Sequence, residues 1–400
     1  MTAPATIGIA GAGLLGRLLA FRLSRAGHRV SVFDPAAEAM PAFDGRQAAG
    51  FTAAGMLSPL AELDNSSAHI AALGWRSLDL WRDIVASLRP APDFRTDGSL
   101  LLAHRSDLGA ARRVLARLAE AASGTPQPEP LTPARLAALE PALHGAAHAW
   151  LLPGEGQIDA VAAMRALAAG AVGVSWHWRH PVRAVEPGRL VLDDGTVLRF
   201  DRVFDVRGVG ARPALPVRGV CGEMVWLHAP GHGLQRPVRL LHPRHRVYVV
   251  PRPGDQVMVG ASEIESEDRS PATLRSAVEL MSAAHSIMPA LAEARILRLD
   301  VNLRPALPDN EPHLEVGAAC VRINGLFRHG WLIAPALVED ALQACGLDTR
   351  ASSGPAASDP PAAASDPRAA QSGVDAARPA SAADPHPGGH SPGPPPPPCP

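Results

Sequence analysis

The run Ile7-Gly8-Ile9-Ala10-Gly11-Ala12-Gly13-Leu14-Leu15-Gly16 constrains this chain more than any other feature. It is a G-x-G-x-x-G directly after a short apolar stretch and directly before a leucine-rich one. The first glycine permits a tight strand-to-helix turn. The second lets backbone approach a pyrophosphate, and the third lets the helix pack closely on the strand, with its N-terminus aimed at the phosphates. Leu15, Leu18, Leu19 and Leu23 share one face at helical period. Arg29-Val30-Ser31-Val32-Phe33 then reads as a second strand ending in Asp34, 18 residues past Gly16, where a ribose diol expects its acceptor. The bland reading is an ordinary glycine-rich turn. Strand, helix, second strand and acid together favour a dinucleotide site in an α/β domain.

Composition agrees with a globular enzyme. A length of 400 residues allows about two or three domains. A formal charge of −1 and the lack of a basic block speak against a nucleic-acid partner. No apolar run reaches the ~18 residues of a membrane span, and the first strand starts too early for a leader, so a cytoplasmic location is expected. Cys221, Cys320, Cys345 and Cys399 lack metal-ligand spacing and do not resemble a disulfide framework. No metal site is expected. From Ala351 onward there is no aromatic residue and Val374 is the sole branched aliphatic. Such a segment cannot bury enough apolar surface to offset chain entropy, so residues 346–400 are expected to be a disordered Pro/Ala-rich tail.

Within residues 5–345, Gln47 to Leu57 is dominated by small residues, which suits either a tight helix start or backbone lying flat against a bulky ligand. Ser67 to Leu88, Leu108 to Ala122 and Leu274 to Ile287 read as helices, and Asp159 as the N-cap of the next one. Gly98 to Ala103, Glu223 to His228, Val247 to Val250, Gln256 to Val259 and Ala294 to Leu303 read as strands, the last leading to Arg304. Val182 to Phe200 reads as a small hairpin unit, and Arg202 to Gly208 as a strand delivering the chain to a cofactor edge. An apolar helix is expected from Pro335 to Ala344. Strand-rich material between parts of a dinucleotide fold suggests two interleaved domains.

Several blocks together resemble the FAD-dependent amine and amino-acid oxidases of the D-amino-acid oxidase superfamily, and within it the glycine oxidases of thiamine biosynthesis. They are Gly11 to Gly16, Thr52 to Leu57, Asp205 to Gly208, Tyr248 to Arg252, Val259 to Ser262, Leu303 to Pro305, and Gly325 to Gly330 with Ala334-Pro335. The resemblance implies an α/β chain, a Rossmann-like FAD-binding domain interleaved with an antiparallel-sheet α+β substrate domain. The FAD-binding portions would be 5–75, 150–215 and 310–345, and the substrate portions 76–149 and 216–309. It implies noncovalent FAD, since no cysteine flanks Arg304. Gly11, Gly13, Leu14, Leu15, Gly16, Asp34, Thr52, Ala53, Ala54, Gly55, Met56, Val182, Gly208, Gly325, Phe327, Arg328, Gly330 and Leu332 would contact it.

By the same resemblance Arg304 grips a substrate carboxylate, Tyr248 faces the substrate, and Arg328 stabilises charge near the flavin. Glu263 stands where glycine oxidases carry an apolar residue; it faces either the substrate amine or solvent. The implied reaction is oxidative deamination of a small amino acid or amine: hydride transfer to flavin N5, imine release, and reoxidation by O2 to give H2O2. The alternative is a D-amino-acid or secondary-amine dehydrogenase that passes electrons to a quinone or protein. The homo-oligomeric state is left open.

Overall fold

The computed structural model describes residues 4–121, 124–241 and 246–347. The tail expectation falls, from residue 348 on, outside the described residues. A six-stranded sheet starts the fold. Thr6–Ala10 lies between Arg29–Asp34 and Arg202–Asp205, and Ser175–Trp178 and Cys320–Asn324 extend it on either side, all parallel. His313–Val316 adds one antiparallel edge. A parallel sheet is covered on both faces, so its central strands are apolar throughout rather than alternating; Ile7, Ile9, Val203 and Phe204 are all fully buried. One face meets the helices Leu14–Arg25, Ala160–Gly170, Ala68–Ser87 and Gly330–Ala344, whose leucines and alanines form the largest core. The other meets the antiparallel unit Val182–Glu186, Arg189–Leu192 and Val197–Arg199.

Capping sets where the helices begin. Ser67 accepts from the Ile70 N–H at 3.3 Å, Asp159 from Ala162 at 3.0 Å, and Thr273 from Ser276 at 3.2 Å. Each satisfies one orphan donor of a first turn. The last helix departs from expectation. It begins at Gly330, so Pro335 sits inside it rather than at its start. Proline removes the N–H that would bond the carbonyl four residues back. That carbonyl belongs to Trp331, and it accepts instead from the indole Nε1 of buried Trp81 at 2.8 Å. A tertiary contact therefore replaces the missing helical bond.

The second body is an eight-stranded sheet. Its order is Arg295–Ala306, Arg218–His228, Gln256–Gly260, Arg246–Arg252, Val238–Leu241, Ser99–Ala103, His148–Leu152 and Glu129–Leu131. Every pair is antiparallel except Val238–Leu241 with Ser99–Ala103. Strand side chains alternate between faces. Val225, Val249, Val257 and Val259 pack under the helix Leu274–Ile287. Met224, Trp226, Tyr248 and Met258 cluster on the other face with Ala54 and Met56. The sheet thus brings one face to the small-residue segment that follows the dinucleotide motif. Three short antiparallel strands, Met56–Leu57, Gly156–Ile158 and Phe94–Arg95, fix that segment. Arg252, 6% exposed, pins them from the sheet: its guanidinium donates to the carbonyls of Ala54 and, at 3.1 Å, Ile158. The observed architecture is the interleaved α/β plus antiparallel fold expected from sequence.

Candidate active site

A continuous cavity of about 1330 Å³ runs from the glycine-rich turn to the face of the large sheet. At its first end, Gly11 has φ +105°, and a Cβ there would lie 2.7 Å from the Val206 carbonyl oxygen. A Cβ on Gly16 would lie 1.9 Å from the Gly11 carbonyl oxygen, so strand and helix meet only without side chains. Gly13 differs: the nearest atom to a Cβ there is the Ala48 Cβ at 3.6 Å, an ordinary contact, so no backbone crowds this position as it does Gly11 and Gly16. Gly13 caps the helix Leu14–Arg25 with no side-chain acceptor, so first-turn N–H groups remain for an anion. Leu14 and Leu15 line the same end.

Asp34 closes the second strand, where its carboxylate accepts from Ala12 N–H at 2.6 Å and Ala36 N–H at 2.8 Å. The carboxylate thus braces the glycine turn from the cavity wall. Behind it lies Arg17, 1% exposed, which donates to the carbonyls of Ala12, Met164 and Ala39. Burial pulls its pKa down to about 10, against the opposing pull of Asp34. Val182 lines the cavity too, but its carbonyl already accepts from Arg207 at 2.8 Å. Arg207 is itself held two-pronged by buried Asp205 at 2.8 and 2.7 Å.

Thr52, Ala53, Ala54, Gly55 and Met56 form one wall of the middle of the cavity, and Gly208, Phe327, Arg328, Gly330 and Leu332 also border it. Gly325 stands just behind that border, its N–H bonded to the Asn324 side chain at 2.8 Å. Phe327 adopts φ +47°, uncommon for a bulky residue, and its N–H bonds the Pro305 carbonyl at 2.9 Å. The arginine loop is thereby tied to the strand that carries Arg304. From the same strand Asn302 donates to the Gln47 carbonyl at 3.0 Å and the Thr52 hydroxyl at 3.1 Å.

The far end is built on two glycines of neighbouring strands. A Cβ on Gly222 would lie 2.4 Å from the Arg304 guanidinium carbon, and one on Gly260 2.7 Å from the Tyr248 ring. Gly260 seats the side chain directly across from it, and Gly222 the guanidinium that reaches it diagonally from Arg304, opposite Val220. Arg304 donates to the carbonyls of Cys221 at 3.3 Å and Ser262 at 3.1 Å. No carboxylate of the described residues pairs with it. Burial pushes the Tyr248 phenol above its usual value, although nearby Arg304 and Arg239 pull the other way.

Beside them lies a charged cluster that sequence reading did not assemble. Glu62, 8% exposed, receives Arg239 at 3.1 Å on one oxygen, and Arg328 at 3.3 Å and His329 at 3.2 Å on the other. Burial would raise its pKa, but His329, Arg239 and Arg328 hold it well below the usual carboxylate range. Glu263, half-exposed, reaches Arg328 from the opposite side at 3.5 Å. The only local signal for Glu62 was its place five residues after the small-residue wall; Arg239 carried none.

The lining fits a flavin dinucleotide. A glycine that no backbone crowds faces an uncapped helix N-terminus, small residues flatten one wall, and the Gln47 side-chain amide is buried beside the cavity without a hydrogen-bond partner. Among the described residues, no group of His, Cys, Asp and Glu is arranged to hold a metal ion, and no helix is long and apolar enough to cross a membrane.

Comparison with known proteins agrees with this geometry. A Rhizobium etli protein named as the thiamine biosynthesis oxidoreductase ThiO is 38% identical over 333 residues, covering 82% of this chain and 92% of its own length. The crystal structure of glycine oxidase from Geobacillus kaustophilus superposes with a TM-score of 0.75 at 24% identity, covering 88% of this chain and 96% of that one. That of iminodiacetate oxidase from Chelativorans sp. BNC1 superposes with a TM-score of 0.72 at 22% identity, covering 85% and 94%. The family model for FAD-dependent oxidoreductases of the DAO type matches residues 6–341, which takes in both sheets and every wall of the cavity, and the chain belongs to that family of FAD-binding enzymes.

Proposed function

We propose that this enzyme oxidises the C–N bond of a small amino acid and passes the electrons to O2. The observation that carries the reading is Arg304. Its guanidinium is fixed by two backbone carbonyls in the cavity that also holds the dinucleotide cradle, and no carboxylate among the described residues neutralises it. A planar fork with its charge uncompensated suits a substrate carboxylate, which two parallel N–H bonds both hold and orient. Bound FAD supplies the two-electron chemistry by accepting a hydride equivalent from the substrate carbon. Gly11, Gly13 and the first turn that follows would hold its pyrophosphate, with Gly16 behind them letting the helix pack on the strand rather than lining the cavity; Asp34 would hold its ribose, and the segment Thr52 to Met56 with Phe327 and Leu332 its ring.

The protein's own residues do the positioning. Arg304 fixes one end of the substrate, and Tyr248 packs beside it as a neutral phenol. The tie from Phe327 N–H to the Pro305 carbonyl keeps the flavin-side loop in register with the carboxylate clamp, so both reactants are located by one strand. Arg328 brings a cation to the ring side of the cavity, paired to Glu62. Among the described residues the cavity lining holds no cysteine, in keeping with noncovalent attachment. The name of the Geobacillus relative, a glycine oxidase, supports a small amino-acid substrate.

The test is a screen of the purified yellow protein. Glycine, sarcosine and D-amino acids are mixed with it anaerobically and the visible flavin absorption is followed. Bleaching by an amino acid, with recovery and H2O2 formation on admitting air, is expected. Bleaching that recovers only with an added quinone would assign a dehydrogenase. Acid precipitation should release the chromophore to the supernatant; colour in the pellet would contradict noncovalent binding.

A further inference from the structure

Three arginines line the substrate end of the cavity: Arg239, Arg304 and Arg328. They are not equivalent. Arg239 and Arg328 share Glu62, and Arg328 also meets Glu263. Two carboxylates therefore balance two guanidiniums, and only Arg304 is left with its charge uncompensated. Arg269, on the far side of Asn302, is turned to the Gly45 carbonyl and lies near Glu267.

From this balance we propose that Glu263 is a specificity-determining residue that restricts the enzyme to amines bearing a single carboxylate. The inference rests on the proposed amino-acid oxidation at Arg304. Glu263 follows Ser262, whose carbonyl accepts from Arg304 at 3.1 Å. It therefore stands beside the clamp while its carboxylate occupies the second cation. A substrate whose second carboxylate reached Arg328 would have to displace Glu263, and would also lie near that acid. Discrimination of this kind comes from a repulsive element as well as an attractive one. Glu62 contributes by holding Arg328 from the buried side, but Glu263 is the member a substrate meets, since it is half-exposed and Glu62 is not.

The test uses the FAD-loaded full chain and two unreactive probes, glycolate with one carboxylate and malonate with two. Their dissociation constants are read from perturbation of the flavin spectrum. Wild type should prefer glycolate. Glu263→Gln keeps the shape and removes the charge, and should shift the malonate-to-glycolate affinity ratio toward malonate by about tenfold. Adding Arg328→Met should abolish that shift, because the freed cation is gone. Turnover should follow in the same direction, with iminodiacetate and D-aspartate gaining on glycine and sarcosine in Glu263→Gln. A wild type that already prefers malonate, or a ratio unmoved by Glu263→Gln, overturns the proposal. Failure of every amino acid to bleach wild-type flavin would overturn the oxidase reading itself, a separate result.

Discussion

Arg304 owes its position to a residue with no side chain. Gly222, two residues along the neighbouring strand from Val220, the register partner of Arg304, leaves the space in which the guanidinium lies. In Gly222→Ala the new methyl would push the guanidinium aside by roughly 1 Å, a misplacement that costs on the order of a hundredfold in rate. The expected outcome is a drop of that size in kcat/KM on the best amino acid, with FAD content unchanged; flavin loss instead would mean that Gly222 serves the fold. Glu62 gives a pH prediction at the same scale. Its carboxyl is held below the usual range in the folded protein, so it stabilises the fold above its unfolded value, and that contribution disappears as pH falls through the folded value. Glu62→Gln should therefore be less stable than wild type at neutral pH, with the gap starting to narrow below about pH 4.3 and closing only once pH has fallen past the depressed folded value. A gap that persists in acid would show that the loss is packing, not charge.

At the scale of elements, the last helix carries the clearest dependence on a distant partner. The Trp331 carbonyl freed by Pro335 accepts from the Trp81 indole at 2.8 Å. Trp81→Phe leaves a buried carbonyl unpaired and opens a small void, so unfolding should become easier by about 2–4 kcal/mol. Equilibrium denaturation measures it, and a change under about 0.5 kcal/mol would mean that the helix does not need the indole. The same element shows where local sequence signals stop. A proline after a loop reads as a helix start because its own effect is local, whereas the compensating indole lies 250 positions away. Ser67, Asp159 and Thr273 are the opposite case, since the capping oxygen and the N–H that donates to it are three residues apart. The glycine-rich turn and Asp34 were legible for the same reason. The strand Ser175–Trp178 was not, because its Ser-Trp-His-Trp offers no aliphatic run or alternation, and its pairing with Arg29–Asp34 supplies the reason it is extended. The cluster of Glu62, Arg239, Arg328 and His329 comes from elements far apart in the chain, and no spacing announces it.

Across the whole molecule, two sheets with different tasks share one cavity, and the site exists only where they are joined. The contacts that join them include Asn302 to Gln47 and Thr52, Phe327 to Pro305, Arg252 to Ala54 and Ile158, and the ion pairs of Arg239 with Glu62 and Arg328 with Glu263. From the composition of residues 351–400, a chain ended at residue 350 is expected to keep its FAD and its turnover; loss of either would assign the tail a role in the body. The central claim is that a family fold has been set, through Arg304, to hold an amino acid by its carboxylate. One measurement addresses it most directly: the rate of anaerobic flavin reduction by the best amino acid in wild type and in Arg304→Ala at equal FAD occupancy, with the corresponding simple amine as control. The account predicts a loss of about 2–5 kcal/mol of transition-state binding for the amino acid, roughly two to three decades in rate, with the amine little affected and Arg304→Lys recovering part. Equal rates for the amino acid in wild type and Arg304→Ala would contradict it.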